Sequence, residues 1–297
     1  MSQPSVKGLI TLKRNYMKQK SFFIYFVVFI FIIQAILVSV AAAATRIMPL
    51  GDSITKGSNS GATPDDEDHF VAYRKALWDK LIAAGYDVGF VGSQTAGGAV
   101  SDFDPNHEGH GGWTADEIVN GNGITEEGKL GEWLADYQPD IVLLHIGTNG
   151  LSPNPNDVET ILNVIDSYSP DTWVVLALIV NRACCIEEPQ CPTDCQDTSD
   201  FNDNVYDMAL DRSGDKIKIV DMEIGAGIDY HFSPTGDMFD GGNGGYHPYE
   251  TGYAKMATEW FSALQEILPD PDPDPDPDPP NNSSSSDSGC FIGIITE

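Results

Sequence analysis

The sequence predicts an α/β fold, a three-layer α/β/α sandwich on a mainly parallel sheet of about five strands. Two observations predict it. Short apolar runs of strand length fall at 46–50, 88–91, 141–146, 173–180 and 217–220, and segments of helical length follow at 70–84, 125–137, 157–168, 201–210 and 249–267. Strand and helix in alternation, with no internal repeat, call for crossovers and so for parallel strands covered on both faces.

The first run, Arg46-Ile-Met-Pro-Leu50, ends in Gly51-Asp-Ser-Ile-Thr55, a small-residue turn that can present a serine hydroxyl at a strand end. Gly-Asp-Ser also marks ordinary turns. In the first helix Leu77, Trp78 and Leu81 recur at helical spacing, with Tyr73 and Val71 on adjoining turns, giving one apolar stripe. After the second strand, His107-Glu-Gly-His-Gly-Gly-Trp-Thr114 sets consecutive glycines where a bare backbone amide can approach a ligand. The third strand leads into Gly147-Thr-Asn149, which offers a side-chain amide donor, although asparagine there also caps turns. His247 lies in Tyr246-His-Pro-Tyr249, where proline keeps the ring on a loop just before the last amphipathic helix. Ligands of open parallel sheets sit at the carboxyl ends of the strands, where Ser53 and Asn149 are both expected.

Acyl transfer through serine requires a base for the hydroxyl proton, a group that orients the base, and donors for the oxyanion. Ser53, His247, the glycines before Trp113, and Asn149 supply residue types suited to these tasks. Gly51-Asp-Ser-Ile-Thr55, the glycine of Gly-Gly-Trp-Thr114, Gly147-Thr-Asn149 and His247 resemble, in order, the four blocks of the SGNH, or GDSL, hydrolase superfamily. More narrowly, Arg46 to Ser53, Phe90-Val-Gly-Ser-Gln94, the Tyr73-Arg74 pair, His107 to Thr114 and Thr251 to Met256 resemble carbohydrate esterase family three, the acetylxylan esterase group. The resemblance covers nearly all of residues 46–268. It implies a sheet of SGNH-hydrolase, flavodoxin-like type, with Ser53 as nucleophile and His247 as base. The backbone amides of Ser53 and Gly112 and the side chain of Asn149 would form the oxyanion hole.

Two positions depart from the pattern. Where the superfamily has an aspartate three residues before its histidine, this chain has Gly244. Reading Gly241 to Gly245 as containing an insertion makes Asp240 the third triad member; Asp237, Asn243, or orientation by a backbone carbonyl are the alternatives. Gly150 stands where an aspartate commonly follows the asparagine, which loosens the expected hold on Asn149.

The ends of the chain read differently. Residues 1–44 carry Lys7, Lys13, Arg14, Lys18 and Lys20, then an apolar stretch from Ser21 to Val40 and Ala41 to Ala44, the layout of a secretory signal peptide cleaved after Ala44. An uncleaved membrane anchor is the alternative, because the stretch approaches bilayer-spanning length. A catalytic domain is expected over 45–268, followed by a Pro/Asp and Ser-rich disordered linker at 269–289. The tail 290–297 resembles the start of a bacterial surface-sorting signal, with a frayed end as the other reading, so surface attachment through it is a further expectation.

The chain has 45 acidic against 16 basic residues and a formal net charge of −29, which repels polyanions and argues against a nucleic-acid partner. Cys184, Cys185, Cys191 and Cys195 crowd the loop after the fourth strand. In a secreted chain they are disulfide candidates in three connectivities; zinc ligation is the alternative, made awkward by the adjacent pair. The acidic run Asp102-Phe-Asp-Pro-Asn106 with Glu108 lacks the spacing of a calcium loop, so neither metal nor cofactor is expected. These readings lead to a secreted serine esterase removing acetyl or other short acyl groups from an acetylated polysaccharide such as xylan. A GDSL-type lipase or thioesterase on small esters, and a non-catalytic carbohydrate-binding or adhesive module, are the alternatives.

Overall fold

In the computed structural model of this protein, strand β1 (Thr45–Gly51) lies inside the sheet, paired on both flanks. The structure describes residues 43–58, 60–61, 65–125, 127–183, 186, 192–241 and 245–271. The expected leader up to residue 42, the linker and tail beyond Pro271, and Cys184, Cys185, Cys191 and Asn243 lie outside the described residues.

The remaining strands are β2 (Val88–Phe90), β3 (Gln94–Thr95), β4 (Asn106–Gly109), β5 (Ile141–His145), β6 (Trp173–Leu178) and β7 (Ile217–Asp221). The seven-stranded sheet runs β3-β4-β1-β5-β6-β7, with β2 also on β1, and every named pairing except β3 with β4 is parallel. One flank of β1 is shared: its start pairs with β2 (Ile47 opposite Phe90) and its end with β4 (Gly51 opposite Gly109). The sheet therefore has two more strands than expected. Asn-His-Glu-Gly and Gln-Thr carry no apolar run, so β3 and β4 exist through backbone pairing that hydropathy does not record.

The helices are α1 (Ser53–Lys56), α2 (Ala72–Ala83), α3 (Ala115–Asn120), α4 (Leu130–Tyr137), α5 (Asn156–Tyr168), α6 (Pro192–Asp211) and α7 (Glu250–Gln265). Successive strand residues point to opposite faces, and each face is covered. Ile47, Leu143 and Val175 meet Tyr73 and Leu77 of α2 and Met256 and Trp260 of α7 in one buried cluster. Leu50, Leu144 and Leu176 meet Ile118, Leu134, Ile161 and Phe201 of α3 to α6 in the other. Tyr73 and Trp260 pack across the first cluster with ring centroids 5.6 Å apart. This is the three-layer α/β/α arrangement.

Three helices differ from the sequence reading, one of them α4, which begins at Leu130 rather than near 125. The six-residue α3 is too short for a periodic stripe, but its start is marked by a capping box in which Thr114 Oγ1 accepts from Glu117 N and the Glu117 carboxylate accepts from Thr114 N. Helix α6 begins at Pro192 rather than near 201, because its polar first turns lack the apolar residues that the helical period needs.

Parallel pairing brings the ends of β1, β4 and β5 to one edge: Gly51 is opposite both Gly109 and His145. A Cβ on Gly51 would stand 2.2 Å from the His145 carbonyl oxygen, so only glycine permits this approach.

Candidate active site

The nucleophile candidate is set by the turn that ends β1. Asp52 is in extended conformation and its Oδ1 accepts from Ile54 N at 2.9 Å, capping the four-residue α1 that opens with Ser53. Asp52 is fully buried and its Oδ2 has no hydrogen-bond partner. Burial pushes its carboxyl up to about 7, against the pull of the Ile54 amide. Gly57, with φ +94°, closes the turn, and its amide donates to Ser53 O at 2.8 Å.

The structure brings His247 onto Ser53, with Nε2 2.8 Å from Oγ across 194 residues of sequence. The loop that carries it is fixed by Phe239 N donating to His247 O at 2.9 Å and by an antiparallel bridge between Met238 and Pro248. Burial lowers the His247 pKa to about 4, so at neutral pH the imidazole is uncharged. With Nδ1 carrying the hydrogen, Nε2 is free to accept the serine proton.

The glycine turn lies against this pair. Trp113 N donates to His110 O at 3.2 Å, closing a turn with Gly112 at φ +84°. A Cβ at Gly111 would sit 4.0 Å from Ser53 Cβ, whereas one at Gly112 would meet nothing within 4 Å. Glycine at 112 therefore answers the left-handed backbone, and Gly111 and Gly112 are both exposed, open to a ligand. Asn149 Nδ2 donates to Trp113 O at 3.0 Å, which ties the loop after β5 to the same turn and leaves the second amide hydrogen available.

The candidate acids behave differently. Asp240 is exposed, and among the described residues no hydrogen bond joins it to His247. Burial is the cause of the lowered pKa at His247, and among the described residues no carboxylate is hydrogen-bonded to the ring. Asp237 is buried, but its Oδ2 accepts from Asp229 N at 2.7 Å and Lys255 Nζ at 2.5 Å, which commits it to the start of α7. His145, at the end of β5, is a packed residue. Its Nε2 accepts from Val180 N at 3.3 Å, and burial pushes its pKa down to about 4.

One constellation near the site escaped the sequence reading. His110 places Nε2 2.7 Å from Glu108 Oε1 and Nδ1 2.9 Å from Glu127 Oε2, while its ring is stacked between Trp113 and Trp133 at 4.4 and 4.7 Å. Glu108 also accepts from Ser93 N and Oγ at 2.6 Å each, so it serves an internal network rather than a calcium loop. Glu108 in β4 and His110, one residue past its end, lie two positions apart, and that spacing is the available signal, hidden because β4 carries no apolar run. Asp104 is likewise engaged, accepting from Phe90 N at 2.9 Å and Asn106 Nδ2 at 2.7 Å. Among the described residues no group of three or more His, Cys, Asp or Glu is placed to hold a metal ion. Cys195 is disulfide-bonded.

A serine and a neutral histidine at the carboxyl edge of a parallel sheet, facing a glycine turn and an asparagine amide, define the SGNH-hydrolase class of fold and site. The chain belongs to the GDSL-like lipase/acylhydrolase family, whose model matches residues 47–260. It is similar to a multidomain esterase of Ruminococcus flavefaciens, 30% identical over 250 residues that cover 77% of this chain and 30% of that protein. The chain thus spans under a third of the length of that curated relative. Among solved structures it is similar to a family 3 carbohydrate esterase of Clostridium thermocellum, with 28% identity, a TM-score of 0.58, and coverage of 76% of this chain and 97% of that one. It shares its fold with a carbohydrate esterase family 3 structure from Talaromyces cellulolyticus, at 23% identity, a TM-score of 0.57, and coverage of 75% and 97%.

Proposed function

We propose that this protein is a serine esterase that removes acetyl or similarly short acyl groups from a neutral polysaccharide such as xylan. The observation that carries the reading is the 2.8 Å contact between Ser53 Oγ and the uncharged His247 Nε2. Serine attacks the ester carbonyl as Nε2 takes its proton, forming the C–O bond of a tetrahedral intermediate. Its oxyanion is received by the amides of Ser53 and Gly112 and the free hydrogen of Asn149 Nδ2. His247 then protonates the departing sugar hydroxyl, and water, activated by the same ring, releases acetate from the acyl-enzyme.

The substrate reading has support beyond the family 3 carbohydrate esterase similarity. A recess of about 360 Å³ is lined by Ser60, Gly61, His69, Tyr249 and Glu250, and Tyr249 is only two residues beyond His247. Hydroxyl, imidazole, carboxylate and aromatic groups together suit a polyhydroxylated ligand. The acidic surface, with a net charge of −29, suits an uncharged polymer better than a polyanion.

Secretion by way of residues 1–44, disulfides among Cys184, Cys185, Cys191 and Cys195, the last of which lies in α6, and surface attachment through 290–297 belong to the same proposal. Asp240 keeps a place in it only as a group that closes on His247 in the working enzyme. The decisive experiment measures acetate release from acetylated xylan beside release from butyryl and longer esters. Acetate release that disappears in Ser53→Ala supports the reading. Preference for long acyl chains would move the protein to the lipase side of its family, and absence of any esterase activity would leave a binding module.

A further inference from the structure

Arg74, in the first turn of α2, is fully buried, yet no carboxylate among the described residues bonds it. Its five N–H groups are all directed at backbone carbonyls. Nε donates to Thr55 O at 3.0 Å, and Nη2 to Lys56 O at 3.0 Å and Phe70 O at 2.9 Å. Nη1 donates to Pro105 O at 3.1 Å, and both terminal nitrogens reach Ala96 O at 3.3 Å. The guanidinium carbon lies 5.4 Å from the centre of the Phe103 ring. Burial lowers its pKa to about 10, which leaves it charged at neutral pH.

Three of these five carbonyls, those of Thr55, Lys56 and Pro105, belong to the two halves of the candidate site. Thr55 and Lys56 are the last residues of the single-turn α1 that begins with Ser53, where carbonyls lack helical partners. Pro105 immediately precedes β4, the strand that delivers the Gly112 turn. One rigid, planar group therefore grips the element under the nucleophile and the element under an oxyanion donor. A buried charge is a poor way to gain stability, because a well-packed apolar side chain would serve as well or better. What the guanidinium provides is fixed geometry between carbonyls that no lysine, with three donors on one point, can reproduce.

We infer that Arg74 is a positioning residue, which sets the separation between Ser53 and the Gly112 turn by clamping the end of α1 to the start of β4. The inference rests on the esterase reading and extends it to a residue that touches neither substrate nor the reacting atoms. Positions of reacting groups matter steeply: a displacement of about 1 Å costs roughly 100-fold in rate.

The test uses the full chain with Arg74→Lys and Arg74→Ala, checked for folding by circular dichroism and assayed on p-nitrophenyl acetate. The expected result is a fall in kcat of about 100-fold with KM changed less than about threefold, a parallel fall in fluorophosphonate labelling of Ser53, and partial recovery of Arg74→Ala by added guanidinium at low millimolar concentration. A folded Arg74→Lys with wild-type kcat overturns the inference, as does failure of both variants to fold, which would make Arg74 purely structural. Wild-type protein with no esterase activity would instead remove the functional reading on which the inference stands.

Discussion

The two partners of the Ser53–His247 contact are held in opposite ways. Ser53 sits in a segment fixed on every side: Asp52 caps it from within, Gly51 is pressed against the His145 carbonyl, and Arg74 holds the end of its helix. His247 is half-buried on a loop whose anchors are the Phe239 amide and one bridge, and its ring has a single hydrogen-bond partner among the described residues, Ser53 itself. The proposed nucleophile is held by the sheet, and the proposed base is lowered in pKa by burial, with no carboxylate bonded to its ring among the described residues. The difference locates the freedom of the site on the histidine side.

Removing the proton acceptor tests whether this loosely held ring is the base at all. His247→Ala is expected to lower kcat on p-nitrophenyl acetate by about 10⁶-fold, the scale seen when one member of such a pair is deleted, with thermal melting nearly unchanged. A loss of tenfold or less would break the pair.

On the rigid side, Asn149→Ala removes one proposed oxyanion donor together with the bond to Trp113 O. A kcat loss of about 100- to 1,000-fold is expected, with little change in KM. If KM rises and kcat holds, Asn149 binds substrate rather than the transition state.

The recess beside the base predicts a substrate-dependent effect. His69→Ala should raise KM for acetylated xylo-oligosaccharides by about tenfold, or about 1.4 kcal/mol, while leaving p-nitrophenyl acetate untouched, because the small ester does not reach that wall. Equal effects on both substrates would remove the recess from sugar binding.

The pH profile separates the two ways of holding histidine. The active ring is the neutral one, so kcat/KM falls only as pH drops through its pKa. With that pKa lowered to about 4, the acid limb should be half-maximal near pH 4 rather than near the ordinary histidine value of about 6.5. A carboxylate brought onto Nδ1 would stabilise the imidazolium and move the limb upward. Asp240→Asn gives the smallest expected effect, a change in kcat of about twofold, far from the roughly 10⁴-fold loss that follows disruption of a true triad acid. A large loss, accompanied by a shift of the acid limb, would show that Asp240 closes on His247 during catalysis.

The legibility of the molecule follows the same division. The runs behind β1, β5 and β6 were visible because both faces are covered, which forces consecutive apolar residues such as Ile141 to Leu144. Ser53, the glycines before Trp113, and Asn149 stand out as candidates because small and polar residue types follow strand-like runs, while the roles assigned to them come from the family resemblance. Strands β3 and β4 were not, since Gln94-Thr95 and Asn106 to Gly109 pair through their backbones and carry no run of apolar side chains. Asp240 was chosen by its place in the chain, and distance in sequence does not say which way a loop turns.

By itself, then, the sequence determined the alternation of strand and helix, the covered sheet, and the residue types at the strand ends, because these depend on local period and turn chemistry. Only the tertiary structure decided that His247 meets Ser53, that Asn149 serves the Gly112 turn through Trp113, and that Asp237 is committed to Lys255. Those contacts span from 18 to 194 residues of chain. They are fixed by strand register and packing, which no local pattern encodes.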